Sequence, residues 1–246
     1  MIPSQMTYTE RMARAVAKQT LLRNFLASGE VYTSISIAAQ LMACSISSAQ
    51  RTLKSMVRFG ELKCEVHLVE GRKLSLWGVT PHGLALADQF DRPHFELGRI
   101  SSSYIPHHLL TQQARLQAEA VGWAWQPGKL LHNTGLPKVP DGLGIRPDER
   151  KVAIEIELNI KSQRRFQSAV AQHLLSIKKG HWAEVYYLTH PELKQTLQKA
   201  FTRIETVPVP GGNAKLEESH KNRFKFYSFD EFPPSILSKP ESQNEI

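Results

Sequence analysis

Three acidic residues near the middle of the chain have the spacing of a metal-binding site on a β-sheet. Glu155 and Glu157 alternate with the apolar residues of segment 152–158, and Asp141 stands in a preceding apolar segment. Side chains two residues apart on a strand lie on one face, about 6.6 Å apart along the chain. Carboxylates this close raise each other's affinity for protons unless a positive charge compensates them. A divalent cation with oxygen ligands provides that charge, and we predict that Asp141, Glu155 and Glu157 bind Mg²⁺ or Mn²⁺.

Lys161 follows these acidic residues where the second strand leads into a helix. Its flexible stem is long enough to reach back to a phosphate beside the metal. A divalent cation neutralises charge on a phosphate and activates the attacking water. We therefore predict that Asp141, Glu155, Glu157 and Lys161 are the catalytic residues of a phosphodiesterase. Polar residues that begin the next helix are predicted contacts to a DNA backbone: Gln163, Arg164 and Arg165.

Simpler interpretations of the same residues remain open. Glu155 and Glu157 also fit the solvent-facing side of an edge strand, and Asp141 followed by a glycine fits a turn. Arg164 and Arg165 fit the exposed face of a helix. The metal site is favoured because all three carboxylates occur together and in the order that such a site needs.

The histidines offer a different chemistry, which the sequence does not favour. A triad of the His-hydrophobic-His type is absent from the sequence, because His107 and His108 are adjacent. A position of His107 or His108 near the acidic site, at the start of their helix, stays open, but a capping or surface role is favoured. His173 lies on the apolar stripe of a predicted helix and is expected to be a core residue.

The acidic residues need a sheet to hold them, and the apolar patterns from residue 106 onward predict one. Helix, strand, hairpin, helix, strand and helix follow in this order, which is typical of a mixed sheet flanked by helices. The predicted helices are 106–121, 162–179 and 191–204, and the predicted strands are 123–125, 139–145, 151–159, 183–188 and 223–229. Residues 106–235 are assigned to this domain, and the polar tail 236–246 is predicted to be disordered.

The first third of the chain has the element order of a winged helix–turn–helix. Apolar residues at helical spacing predict three helices, and two strand-like segments joined by a turn follow them. The predicted helices are 7–27, 36–43 and 48–59, and the predicted strands are 61–69 and 74–79. We assign residues 1–90 to this domain and residues 91–105 to a linker.

Basic and polar side chains occur where a winged helix contacts DNA. Four are predicted on the outward face of the third helix and two at the hairpin tip: Gln50, Arg51, Lys54, Arg58, Arg72 and Lys73. The chain carries 31 basic against 23 acidic residues, a net charge of +8, which favours a polyanionic partner such as DNA. The alternative is a winged helix that makes only protein contacts.

Composition argues against several other classes of protein. Cys44 and Cys64 are the only cysteines and form no Cys-x-x-Cys pair, so neither a disulfide framework nor a structural zinc site is expected. The sequence has no signal pattern at its start and no apolar run of the length of a membrane span. We therefore expect a soluble cytoplasmic protein without membrane insertion.

Pro140-Asp141, Glu155-Ile156-Glu157 and Lys161 together resemble the PD-(D/E)xK pattern of restriction-endonuclease-like nucleases. That pattern has its lysine two residues after the first acid of the second strand. This chain has Glu157 there, and Lys161 comes four residues later. With the winged helix, the arrangement resembles the MobC-type relaxases of mobilizable plasmids, within the plasmid replication-relaxation group. The resemblance implies an α+β fold with an N-terminal winged helix–turn–helix and a restriction-endonuclease-like α/β core, whose mixed central sheet is flanked by helices.

The same resemblance implies a function. It implies a site- and strand-specific, metal-dependent nick at a plasmid transfer origin, which starts conjugative mobilization. A type IV coupling protein and accessory relaxosome proteins are the implied partners. Two alternatives remain: a non-catalytic DNA-binding regulator of plasmid replication with a degenerate nuclease fold, and a restriction or repair endonuclease.

Overall fold

The computed structural model describes residues 6–234, and its first part is built of helices and a small antiparallel sheet. The elements are α1 (Tyr8–Phe25), β1 (Tyr32–Ser34), α2 (Ile35–Leu41), α3 (Ile46–Arg58), β2 (Leu62–Val69), β3 (Arg72–Val79) and α4 (Pro81–Ala85). The sheet has the order β1-β3-β2, with both pairs antiparallel. The three predicted helices and both predicted strands are present, with ends within two residues of those predicted. The short strand β1 was not predicted.

Local capping interactions set the ends of these helices. Thr7 and Glu10 form a reciprocal capping box at the start of α1. Helix α3 begins two residues earlier than predicted, because the Ser45 hydroxyl accepts a hydrogen bond from the backbone N–H of Ser48 at 3.3 Å. After α1 the chain makes a π-helical turn over Leu26–Glu30, within which Gly29 has a φ of 110° that glycine adopts without strain.

Segment 91–105 is packed against the first sheet, although the sequence suggested a linker. Phe95 is fully buried, and its backbone N–H donates to the Val79 carbonyl oxygen at 2.8 Å. Its ring lies so close to Gly78 that a Cβ there would meet Phe95 Cγ at 2.1 Å. Gly78 is therefore a glycine because the ring of Phe95 needs its space.

The second part is built on a five-stranded mixed sheet flanked by helices, as predicted. Its elements are α5 (Ile105–Ala120), β4 (Ala124–Pro127), β5 (Gly142–Ile145), β6 (Lys151–Ile156), α6 (Gln163–Lys178), β7 (Glu184–Thr189), α7 (Pro191–Thr202), β8 (Thr206–Val209), β9 (Gly212–Lys215), α8 (Glu218–Lys221) and β10 (Phe224–Ser228). The strand order is β10-β7-β6-β5-β4. Strands β4, β5 and β6 are antiparallel neighbours, whereas β6, β7 and β10 are parallel.

Strand β6 is the centre of this sheet and is buried on both faces. Val152, Ile154 and Ile156 pack with residues of α5 on one face. On the other face Ala153 packs with Phe166 of α6. The strand ends at Ile156, three residues before the predicted end. Because β6 is hydrogen-bonded on both sides, the edge-strand interpretation of its acidic residues is wrong.

Two glycines in β5 leave room for two tryptophan side chains, one in the neighbouring strand β4 and one directly before it. A Cβ on Gly142 would meet Trp125 Cζ2 at 2.1 Å, and one on Gly144 would meet Trp123 Cε3 at 2.9 Å. Gly142 is a strand residue paired with Ile154 and not the second residue of a turn. The turn interpretation of Asp141 and its glycine is therefore wrong.

Helix α5 packs against both parts of the protein. Leu116 belongs to the core of the first part, whereas Ala114 and Ala118 pack against the large sheet. The helix therefore holds the two sheets in a fixed relation. The predicted disordered tail 236–246 lies outside the described residues. Within residues 6–234, the structure contains no helix that is long and apolar enough to cross a membrane.

Phe95→Ala is expected to lower the free energy of unfolding by about 3–5 kcal/mol, because it leaves a cavity between the segment and the sheet. Phe90→Ala is the matched control, since the Phe90 side chain is 74% exposed. Urea denaturation of the two variants measures the difference. Equal stability of both variants would contradict the packing described for segment 91–105.

Candidate active site

The three predicted metal ligands lie close together where β5 and β6 pair. The Asp141 N–H donates to the Ile154 carbonyl oxygen at 3.0 Å. The Asp141 carboxylate in turn accepts a hydrogen bond from the Ile156 N–H at 2.8 Å. Glu155 and Glu157 flank that N–H along the chain. The carboxylate of Asp141 is thus fixed to the end of β6, beside both glutamates.

Glu155 is a buried carboxylate that two side chains neutralise. Lys138 Nζ lies 2.9 Å from Oε1, and His173 Nε2 lies 3.3 Å from the same oxygen. Burial would raise the pKa of Glu155, but the hydrogen bonding and charge of His173 and Lys138 outweigh it and lower the pKa to about 2. Glu155 is therefore held ionised on the central strand of the sheet.

Glu157 follows the end of β6 and forms an ion pair with Lys161 at 2.5 Å. Its backbone continues the contact with β7, since its N–H donates to the Leu188 carbonyl oxygen at 2.8 Å. Burial raises the pKa of Glu157 more than Lys161 lowers it. Burial alone would lower the pKa of Lys161, but the hydrogen bond to Glu157 and the charge of Glu157 outweigh burial, so the pKa is raised. Lys161 therefore lies beside the acidic residues, and its catalytic role stays a prediction.

His107 belongs to the same site, contrary to the expectation of a capping or surface residue. Its Nε2 lies 3.2 Å from Asp141 Oδ2, and the imidazole is about one-third exposed. Burial lowers the pKa of His107, but the hydrogen bond to Asp141 and its charge outweigh burial and raise the pKa. Its neighbour His108 is buried and points to the first sheet, where Nε2 lies 2.8 Å from the Glu30 carbonyl oxygen.

Lys138, His107 and His173 are the residues that sequence reasoning missed at this site. His173 is a core residue as expected, but it contacts Glu155 rather than only apolar groups. The sequence indicated a place near the site only for Lys138, which stands three residues before Asp141. The two histidines lie on α5 and α6 and not on the strands that carry the acids, so only the folded chain brings them together.

The donor atoms at the site suit a hard divalent cation, although they are engaged by cationic side chains. Among residues 6–234, no group of three or more histidine, cysteine, aspartate or glutamate side chains is arranged to hold a metal ion. Glu155 Oε1 and Glu157 Oε2 are nonetheless buried without a partner in hydrogen-bond geometry within that part of the chain. Oxygens of this kind are the ligands that Mg²⁺ and Mn²⁺ take in proteins, and in the structure Lys138 and Lys161 pair with the two glutamates.

The predicted DNA contacts are all exposed, but they belong to separate surfaces. Gln50, Arg51, Lys54 and Arg58 lie on the open face of α3, and Arg72 and Lys73 lie at the tip of the β2–β3 hairpin. Gln163, Arg164 and Arg165 form the first turn of α6, directly after Lys161. Only this last group lies next to the acidic site along the chain.

Comparisons with known proteins give no family for this chain. No model of a known protein family matches it, and no curated protein matches it. The site therefore has to be interpreted from its own residues.

The buried His108 is expected to make the protein less stable in acid. Burial, followed by the charge of Lys129, lowers the pKa of His108 from 6.5 to about 3. Between these pH values the unfolded chain binds a proton that the folded chain does not. The free energy of unfolding should therefore fall with decreasing pH, by about 1.4 kcal/mol per pH unit from this residue.

Urea denaturation of His108→Gln from pH 7 to pH 4 tests this expectation, and the variant should show a shallower pH dependence than the wild type. His94→Gln, at an exposed position, is the matched control. Identical pH profiles for His108→Gln and the wild type would contradict the buried neutral imidazole.

Proposed function

We propose that this chain is a divalent-metal-dependent DNA endonuclease whose catalytic residues are Asp141, Glu155, Glu157 and Lys161. The observation that carries the proposal is the buried, ionised Glu155 on the central strand, with Asp141 fixed beside it. An ionised carboxylate in the middle of a sheet is expensive to bury, and such groups concentrate at functional sites. The order of α5, three antiparallel strands, α6 and a parallel strand is also the core order of restriction-endonuclease-like nucleases.

Asp141, Glu155 and Glu157 would hold Mg²⁺ or Mn²⁺, which supplies charge neutralisation and an activated water for attack on phosphorus. His107 orients Asp141 through the contact to Oδ2. Lys138 and Lys161 hold their ammonium groups against the two glutamates, and from these positions they would neutralise charge on a phosphate bound at the site. The exposed first turn of α6 follows Lys161 and would contact the DNA backbone.

The first part of the protein is proposed to be a winged helix that recognises DNA. Its support is the element order, the exposed basic face of α3 and the basic hairpin tip. The more specific proposal is a relaxase of the MobC type that nicks one strand at a plasmid transfer origin in the cytoplasm. A type IV coupling protein and accessory relaxosome proteins would be its partners. This finer proposal rests on the sequence resemblance described above.

A second candidate is a non-catalytic DNA-binding regulator of plasmid replication. The observation in its favour is that each acidic residue already has a cationic or imidazole neighbour: His107 for Asp141, Lys138 for Glu155 and Lys161 for Glu157. A regulator of this kind changes no DNA topology when a divalent metal is added. A restriction or repair nuclease, in contrast, produces linear DNA from a plasmid.

Incubation of the purified protein with supercoiled plasmid, with or without its own transfer origin, tests the activity. We expect open-circular product that requires both the origin and Mg²⁺ or Mn²⁺ and is absent in EDTA. Asp141→Asn should reduce the rate of nicking by about 100-fold or more, because it removes a ligand charge without changing the side-chain volume.

Asp148→Asn is the matched control, because Asp148 lies in the turn of the same hairpin and pairs with Arg146 rather than with the acidic cluster. Unreduced nicking by Asp141→Asn would disprove the site assignment. A linear product would favour the restriction or repair alternative. Origin binding without nicking under every metal condition would favour the regulator.

The role of α3 is tested by the salt dependence of DNA binding. Arg51→Gln with Lys54→Gln should lower the slope of log K against log salt by about two, because each lost phosphate contact removes about 0.9. Lys178→Gln with Lys179→Gln removes the same charge from the exposed end of α6 and should leave the slope nearly unchanged.

An equal slope in both double variants would disprove phosphate contact by α3. Point substitutions are preferable here to removal of residues 1–90. That truncation would expose Leu116, which is buried in the core of the first part.

A further inference from the structure

A cavity of about 180 Å³ lies beside Asp141, and neither Glu155 nor Glu157 lines it. It is walled by the first turns of α5 and by the segments 127–132 and 139–141. Three imidazoles and one ammonium group line it: those of His107, His108, His132 and Lys129. This volume is many times the roughly 10–15 Å³ that a single water needs by the same measure. That space suits a phosphate group with the nearest atoms of its sugar.

The acidic groups in the lining are already engaged, so the cavity offers donors to a ligand. The Glu30 carboxylate is held by Arg115 at 2.9 Å, and burial raises the pKa of Glu30. Asp141 is held by His107. The Lys129 ammonium lies 5.5 Å from the centre of the Tyr32 ring, and within residues 6–234 the charge of Glu30 acts on it without a contact of ion-pair length. A positive group in that position, facing the cavity, suits an anionic ligand.

The walls of the cavity are rigidly joined to the candidate catalytic residues. The Gly128 N–H donates to the Asp141 carbonyl oxygen at 3.0 Å. A Cβ on Gly128 would meet the Pro140 carbonyl oxygen at 2.1 Å, so only glycine allows this close approach. Lys129, the next residue, is therefore held at a fixed place relative to Asp141. The hydrogen bond from His108 to the Glu30 carbonyl oxygen fixes the opposite wall.

We propose that this cavity is a subsite for a phosphate group of a DNA strand, held by Lys129, His132 and His107 next to the phosphodiester that the acidic site attacks. The assignment rests on the proposed nuclease function. It adds a contact to the phosphate of a nucleotide that neighbours the cleaved bond. A strand phosphate in this cavity would touch both parts of the protein, since Gly29 and Glu30 of the first part line it.

The subsite is tested by NMR titration of the full-length protein, in EDTA, with inorganic phosphate and with thymidine 5′-monophosphate. We expect saturable shifts of the imidazole signals of His107 and His132. Lys129→Met should weaken binding of both probes by about tenfold, because it removes one charge-assisted hydrogen bond. The exposed Lys151→Met is the matched control and should bind like the wild type. His132→Gln, also at an exposed position, provides a second variant that does not depend on the packing of Lys129 against Tyr32.

A single-stranded oligonucleotide of twelve residues then distinguishes a strand from a free phosphate. Displacement of inorganic phosphate by the oligonucleotide supports the subsite. Phosphate binding that the oligonucleotide does not displace overturns it, because the cavity would be closed to a strand. Absence of saturable shifts, or unchanged affinity in both Lys129→Met and His132→Gln, overturns it as well.

The titration needs neither metal nor cleavage, so its result is separate from that of the nicking assay. Phosphate binding in a protein that does not nick DNA would disprove the nuclease and leave an anion site in place. Nicking by a protein whose cavity binds no phosphate would disprove the subsite alone.

Discussion

The candidate site depends on one constraint: the central strand β6 is buried on both faces and still carries an ionised carboxylate. A charge in that position is tolerated only when opposite charges and hydrogen bonds surround it. Lys138 and His173 provide them for Glu155, from a loop before β5 and from α6. The loop, the strand and the helix are therefore tied to one carboxylate. The hydrogen bond from the Ile156 N–H then fixes Asp141 beside it.

Helix α5 extends this arrangement to the rest of the molecule. Adjacent residues near its start point to different parts of the chain, since His107 contacts Asp141 and His108 contacts the Glu30 carbonyl oxygen. Farther along, the Arg115 guanidinium pairs with the Glu30 carboxylate. The contacts of α5 therefore fix the position of the acidic cluster relative to the first sheet. Segment 91–105 adds a second link through the buried ring of Phe95.

The order of elements followed from local patterns, because helical and strand periodicity depend only on neighbouring residues. The elements that the sequence did not reveal are short or unusual. Strand β1 has three residues, too few for a period, and β8–β9 contains two prolines and two glycines. Proline is acceptable in β8 because that strand pairs only with β9 and needs fewer backbone donors. Such a strand is defined by its partner and not by its own residues.

The sequence by itself determined the acidic spacing, the helix and strand order and the positive charge, all of which are properties of residues near one another in the chain. Only the tertiary structure decided which cations and imidazoles meet those acids. Lys138, His107 and His173 reach them from a loop and two helices, and their selection depends on strand register and helix packing. The burial of the glutamates was likewise decided by the tertiary structure. The alternation of residues along β6 is compatible with either an exposed or a buried glutamate face. The packing of α6 against β6, through Phe166 and Val170, makes that face a buried one.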